Sequence, residues 1–434
     1  MNGPVGITVS GSGPGGGVPG WASARAALAG AHGPVRSLYV HTPFCAHKCH
    51  YCDFYSFVDQ RDQQGAFVER LIEELQAQAP LAGGAPLRTI FVGGGTPSLL
   101  RADLWRRLLA AMEGLFDLSL IRAGVGEFTV ECNPESATAE LLGVLRAGGV
   151  NRVSMGAQSF QERHLRTLER RHDPERVAAA LELAEGAGIA RRSIDLIYAV
   201  PGQTLGEWEA DVRRALALGT THLSCYNLTY EPNTAMTVRL KRGEFTPVDD
   251  DLEADMFELA GTLLAERGLE RYEVSNYALG GIGGGHACAH NLAYWRQEAW
   301  LAAGPSASGH VWAGAGRRGG GHRWKNAPNL GAYLAQSDGG YAPVAEHEGP
   351  DPARAVRERI MTGVRLSEGL DTAEITADAE AAVSGAGQRL ALIAAELEAD
   401  GWLTTAGGRW KVTPRGWLGA DFVARRLMGC VGGA

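Results

Sequence analysis

"HTPFCAHKCHYCDFYSF", His41 to Phe57, places three cysteines within eight positions. The spacing C-x3-C-x2-C sets Cys45, Cys49 and Cys52 on one short loop. Two chemistries suit such a loop. A structural zinc ion takes four nitrogen or sulfur ligands, and His41, His47 or His50 is close enough in the chain to be the fourth. Zinc sites, however, usually pair two ligands on one turn with two more at a distance, and no second C-x2-C occurs elsewhere. An iron–sulfur cluster takes cysteine at its irons. Three cysteines on a [4Fe–4S] cube leave one iron open for an outside ligand, so the crowding of all three thiols favours the cluster.

Outward from this loop, short β-branched or aromatic runs alternate with long amphipathic stretches. The runs are "SLYVH" (37–41), "TIFVGG" (89–94), "EFTVEC" (127–132), "RVSMG" (152–156), "SIDLIYA" (193–199) and "HLSCYNL" (222–228). Helical patterns fill the intervals, such as "AFVERLIEELQAQA" (66–79) and "TLGEWEADVRRALALG" (204–219). Strands alternating with helices predict a parallel sheet with right-handed crossovers, and six such units predict an α/β fold that is a full or partial (β/α) barrel. The expected organisation is a flexible Gly/Pro/Ala-rich segment over 1–35 and the barrel over 36–278. A Gly-rich connecting region follows over 279–350, then a smaller helical, winged-helix-like domain over 351–434.

The bulk numbers exclude several classes. The net charge of −8 and the absence of a basic stripe argue against nucleic acid as a partner. "RRH" (170–172) and "GRRGGGHR" (316–323) are short and separate. Seven cysteines, four of them dispersed (Cys132, Cys225, Cys288, Cys430), make a poor disulfide framework and fit a reducing compartment. The N-terminus lacks the basic and apolar regions of a secretory signal, and no apolar run approaches the roughly 18 residues of a membrane span. A soluble cytoplasmic protein is expected.

In a barrel, chemistry gathers where strands end at their C-termini. Here the first strand runs into the cysteine loop. The others run into "GGGTPS" (93–98), "ECNPES" (131–136), "GAQSF" (156–160), Asp195 in "SIDLIYAVPGQT", and "CYNLTYEP" (225–232). Any one of these reads as a turn or a cap. Together on one rim they point to a ligand site.

These ordered motifs resemble the radical S-adenosylmethionine superfamily. More narrowly they resemble the group holding oxygen-independent coproporphyrinogen III oxidase and its relative, the heme chaperone HemW, over most of residues 37–310. The resemblance implies a [4Fe–4S] cluster on Cys45, Cys49 and Cys52, with S-adenosylmethionine chelating the open iron. It implies that Tyr39 and Tyr51 flank the ligand and that Gly94, Gly95 and Thr96 face its amino-acid end. Glu131, Gln158, Arg170 and Asp195 would complete the pocket, Arg170 toward the carboxylate and Asp195 toward the ribose.

Two places separate the members of this group. The oxidase resembles C-x3-C-x2-C-x-C, whereas Phe54 stands at the last of those positions here. "HNLAYW" (290–295) resembles the HNxxYW motif of the chaperones. It implies heme as cargo, contacted by His290, Tyr294 and Trp295. From composition alone these would be aromatic core anchors beside a satisfied histidine. His286 and Cys288 are alternative ligands, and His310 and His322 remain open. The expected function is a heme chaperone delivering heme to cytoplasmic or membrane-bound acceptor proteins. The alternative is decarboxylation of coproporphyrinogen III. The resemblance leaves room for a homodimer and for peripheral membrane association.

Overall fold

The computed structural model describes residues 22–314 and 316–432. Its first elements are a two-residue strand, β1 (Ala22–Ser23), and a short helix (Ala24–Leu28). The six expected parallel strands follow as β2 (Ser37–Thr42), β3 (Thr89–Gly94), β4 (Glu127–Cys132), β5 (Arg152–Gln158), β6 (Arg191–Tyr198) and β7 (His222–Asn227). A hairpin-like pair, β8 (Leu269–Arg271) and β9 (Asn276–Leu279), packs antiparallel beyond β7. One more strand, β10 (Leu301–Ala303), lies parallel to β2. The nine-stranded order is β10-β2-β3-β4-β5-β6-β7-β9-β8, and no pairing joins β10 to β8 among the described residues. The barrel is therefore partial, an open curved sheet.

The two faces of this sheet differ in chemistry. One face carries Leu38, Val40, Ile90, Val92, Phe128, Val130, Val153, Ile194 and Leu223, all fully buried. Helices cover it with apolar stripes. The helix Ala102–Leu115 buries Leu104, Trp105, Leu108, Leu109 and Met112, one side of a 3.6-residue period. The helix Leu205–Ala217 starts at a capping box, in which the Thr204 hydroxyl accepts from the Glu207 amide while the Glu207 carboxylate takes the Thr204 N–H at 3.0 Å. It buries Trp208, whose indole donates to the Met256 carbonyl at 2.8 Å.

The opposite face alternates in register with the first and is polar. Glu131 pairs with Ser154, Ser154 with Ser193, and Ser193 with His222. One row further along, Gly156 pairs with Asp195 and Asp195 with Ser224. A continuous polar row across parallel strands is costly unless it is hydrogen-bonded or serves a ligand.

Three expectations change. Residues 22–35 are not a loose segment: β1 pairs antiparallel with Val344 and Pro343, and Ala24, Leu28 and Val35 are buried. Residues 1–21 lie outside the described residues. The Gly-rich region 279–350 is not a connecting loop either. It supplies β10 and then a second sheet of β11 (Ser308–Trp312), β12 (Gly321–Asn326) and β13 (Pro343–Glu348), closed by β1. The glycines there serve packing, since a Cβ on Gly309 would stand 2.2 Å from the Trp324 ring. Finally, the division at 278 does not hold, because β10 belongs to the main sheet.

The C-terminal part has its own core, including Ile360, Ile375, Leu390, Leu397, Trp410, Val423 and Leu427. Its helices surround a small sheet of β14 (Leu370–Asp371), β15 (Leu403–Ala406) and β16 (Arg409–Val412), ordered β14-β16-β15. It is tied to the barrel by the bidentate pair Arg296–Glu368 at 2.8 and 2.7 Å and by Leu366, which packs with Tyr272 and Leu292. Among the described residues no helix is long and apolar enough to cross a membrane.

Candidate functional site

The C-terminal ends of β2 to β7 open into a cavity of about 1090 Å³, roofed in part by Arg365, Trp417 and Leu418 of the C-terminal part. Its lining includes Cys45, Cys49, Tyr51, Cys52, Gly94, Gly95, Thr96, Glu131, Gln158, Arg170 and Asp195. Eleven residues singled out from separate sequence motifs thus share one enclosure.

The cysteine loop is held from several sides. Thr96 Oγ1 lies 3.6 Å from Cys45 Sγ, and Arg170 Nη1 lies 3.8 Å from Cys49 Sγ. Burial pushes the Cys52 thiol up to about 11, with the neighbouring Cys49 and Cys45 adding to the effect. Three half-buried thiols on one loop, with a guanidinium beside Cys49, suit a metal cluster that takes them as thiolates. His41 anchors the far side of the loop. Its Nε2 donates to the Tyr55 carbonyl at 2.8 Å, and its Nδ1 accepts from the Tyr39 hydroxyl at 3.1 Å.

The glycines of "GGGTPS" are required by the protein's own backbone. Gly94 sits at φ +104°, where a Cβ would lie 2.5 Å from the His41 ring. A Cβ on Gly95 would meet the Phe44 carbonyl at 2.7 Å. This close approach lets the Gly95 and Thr96 amides bond the Thr42 and Phe44 carbonyls, each at 2.7 Å, which locks the second strand end onto the cysteine loop.

Two carboxylates stand deeper. Glu131 accepts the Gly94 N–H at 3.1 Å; burial and the nearby charge of Asp195 raise its carboxyl to about 7. Asp195 accepts Ser154 Oγ at 3.1 and 3.0 Å and is raised by burial. Gln158 projects from a break in register between Gly156 and Gln158, at φ +64°.

Several buried polar atoms of this lining lack a hydrogen-bond partner among the described residues: Arg170 Nε, both ring nitrogens of His172, Asn227 Oδ1 and the Tyr230 hydroxyl. Such atoms are rare in native interiors, and their gathering around one cavity fits a polar ligand that completes them. Carboxylates raised by burial suit the ammonium and sulfonium of S-adenosylmethionine, and Arg170 suits its carboxylate. The residues present therefore fit both the cluster and S-adenosylmethionine.

Four sequence candidates lie elsewhere. Tyr39 does not line this cavity; its ring packs beside those of Phe91 and His290, with centroids at 6.3 and 6.4 Å. His290, on the short helix Ala289–Trp295, is 1% exposed. Its Nδ1 bonds Thr89 Oγ1 and its Nε2 bonds the Tyr294 hydroxyl, both at 2.8 Å. Both nitrogens are bonded to the protein here, so an iron at His290 would require one of these bonds to break. The helix start is capped by Glu127, which accepts the Ala289 and His290 amides at 3.1 and 3.2 Å. Trp295 packs with Tyr272, Leu292 and Leu366. In this structure the HNxxYW residues pack by the N-terminal ends of β3 and β4, through Thr89 and Glu127. Of the alternative ligands, Cys288 is buried against Glu127 at 3.3 Å, and His310 bonds the Glu298 carbonyl at 3.2 Å.

Sequence reasoning passed over His172 and the residues that contact the cavity from the C-terminal part. Arg170-Arg171-His172 reads as a short basic run, and no spacing rule says that its histidine turns inward. Tyr226, Asn227 and Tyr230 fall inside "CYNLTYEP", whose place at a strand end was the available signal.

Comparison with known proteins places this arrangement. Residues 39–215 match the Radical SAM superfamily, and residues 351–418 match the HemN C-terminal domain. The chain is 36% identical over 406 residues to the heme chaperone HemW of Mycobacterium tuberculosis, covering 93% of this chain and 97% of that one. It is 39% identical over 281 residues to heme chaperone HemW of Escherichia coli, covering 64% and 71%. The solved structure of coproporphyrinogen III oxidase (HemN) from Escherichia coli, a radical SAM enzyme, superposes with a TM-score of 0.76 at 22% identity, over 95% of this chain and 93% of that one.

Proposed function

Because the chain belongs to the HemW family of the radical S-adenosylmethionine superfamily, we propose that it is a heme chaperone. It would hold a [4Fe–4S] cluster on Cys45, Cys49 and Cys52, bind S-adenosylmethionine above it, and pass heme to acceptor proteins from the cytoplasm. When bound, the cluster and S-adenosylmethionine supply one-electron chemistry. The chain's own part is to hold the thiols, neutralise them with Arg170, and enclose the ligand beneath Trp417 and Leu418.

The observation that carries the chaperone reading over the oxidase reading is Phe54. It stands two residues beyond Cys52, 52% exposed, on the cavity lining. A phenyl ring there offers an apolar contact where a further cysteine would offer a thiol.

Charge supports the same choice. Asp53, Glu135, Glu169, Glu231, Asp250 and Glu253 line the cavity against only Arg170, Arg171 and Arg365. Arg365 is already paired with Asp421, and Arg170 Nη2 donates to the Gly156 carbonyl at 2.7 Å. Coproporphyrinogen III carries four carboxylates and would meet mostly like charge, which disfavours its binding. Heme carries two.

The test is a heme titration of the reconstituted protein beside an anaerobic coproporphyrinogen III assay. A saturable Soret change with no protoporphyrinogen formed is expected. Turnover of coproporphyrinogen III would select the oxidase.

A further inference from the structure

We propose that His172 is a contact for the nucleoside half of S-adenosylmethionine. The inference rests on the reading that this cavity takes S-adenosylmethionine. His172 lines the cavity and is 5% exposed; one ring nitrogen faces the Ala157 carbonyl in poor hydrogen-bond geometry, and the other has no partner among the described residues. Three other buried histidines are built differently. His41, His222 and His290 each have both nitrogens bonded to the protein. A buried imidazole with a vacant position costs free energy unless something else completes it.

Its neighbours say what that something is. The ring lies by the Ala157 carbonyl, at the frayed end of β5 between Gly156 and Gln158. Gly156 pairs in register with Asp195 across β5 and β6. The space above Gly156 is bounded by Gln158 Nε2 and Arg170 Nη2, which would lie 3.0 and 3.5 Å from a Cβ there. The charged end of the ligand already has charged partners, Glu131 for a cation and Arg170 for a carboxylate. Burial, and then the Arg170 charge, hold the His172 ring down at about 4, so it is neutral at pH 7. A neutral imidazole offers one donor and one acceptor. That pair suits hydroxyls or a base edge, and it adds nothing for an ammonium or a carboxylate. Gln158, the residue after Ala157, is of the same hydrogen-bonding kind.

The experiment is calorimetric titration of the cluster-loaded protein with S-adenosylmethionine, 5′-deoxyadenosine and methionine in turn. His172→Ala should weaken S-adenosylmethionine and 5′-deoxyadenosine by roughly tenfold, the size of a lost hydrogen bond in a buried site. Methionine affinity should be unchanged. His172→Asn, which keeps a donor and an acceptor, should recover most of the loss, and it carries the test if the alanine variant loses iron and sulfide. Equal losses for methionine and nucleoside would overturn the proposal. So would unchanged nucleoside affinity, including the case in which only heme uptake falls. A wild-type protein that binds neither S-adenosylmethionine nor 5′-deoxyadenosine would refute the cavity reading itself, and the proposal with it.

Discussion

Replacing His290 separates a heme ligand from a structural residue. His290→Ala removes the partner of Thr89 Oγ1 and of the Tyr294 hydroxyl, each bonded at 2.8 Å. Leaving a buried polar group unpaired costs about 1–3 kcal/mol, and the lost ring contacts add to this, so a destabilisation of about 3–5 kcal/mol is expected. His290→Gln keeps an amide that can reach one partner and should cost about half as much. Both are measured by urea unfolding followed in tryptophan fluorescence. The acid limb gives a second readout. Burial lowers the His290 ring from 6.5 to about 3. The unfolded chain therefore takes up a proton that the folded ring refuses, and stability falls as pH drops through that window. The glutamine variant should lose part of that slope. In both variants the Soret band of added heme should keep its position and amplitude at temperatures where the protein is folded. A Soret shift in His290→Gln, with less than about 1 kcal/mol of stability lost, would refute the argument and restore His290 as an iron ligand.

Alanine at Cys45, Cys49 or Cys52 should abolish bound iron and acid-labile sulfide after anaerobic reconstitution. Alanine at Cys225 or Cys430, buried away from the cavity, or at Cys132, buried in its wall, should leave both unchanged. The Glu131 carboxyl, raised to about 7 by burial and Asp195, is largely protonated below that pH. Affinity for the cationic end of S-adenosylmethionine should therefore weaken as pH falls from 8 to 6, with proton release on binding, and Glu131→Gln should flatten the profile in calorimetry. Gly94→Ala adds a Cβ at φ +104° against the His41 ring and should destabilise the protein by about 2 kcal/mol or more. Gly84→Ala, at φ +69° with nothing within 4 Å, should cost about 1 kcal/mol. Equal costs in thermal unfolding would show that the contact with His41 does not matter.

The strands β2 to β7 were legible because each is a short β-branched or aromatic run between long helical patterns, and parallel strands under helices have few other arrangements. The second sheet was hidden for the opposite reason. Strands such as Ser308–Trp312 and Gly321–Asn326 are interrupted by glycine, and glycine reads as a turn until Trp324 is seen to occupy the space above Gly309. The segment 22–35 misled in the same way, because its composition is that of a linker while its few apolar residues, Ala24, Leu28 and Val35, are buried by partners far along the chain.

For the site, sequence alone determined which residue types stand where parallel strands end: three thiols on one loop, glycines, paired carboxylates and an arginine. Those are local facts of spacing, and the barrel's geometry carries them to one rim. Direction and partnership are not local. A strand position does not say whether Tyr39 rises to the cavity or lies beneath it, and that was decided by its packing beside Phe91 and His290. "HNLAYW" and "RRH" each offer a histidine to a ligand on paper. Only the tertiary structure closed both nitrogens of His290 on Thr89 and Tyr294 and left a nitrogen of His172 open in the cavity, because a hydrogen-bond partner 201 residues away cannot be read from the residues beside it.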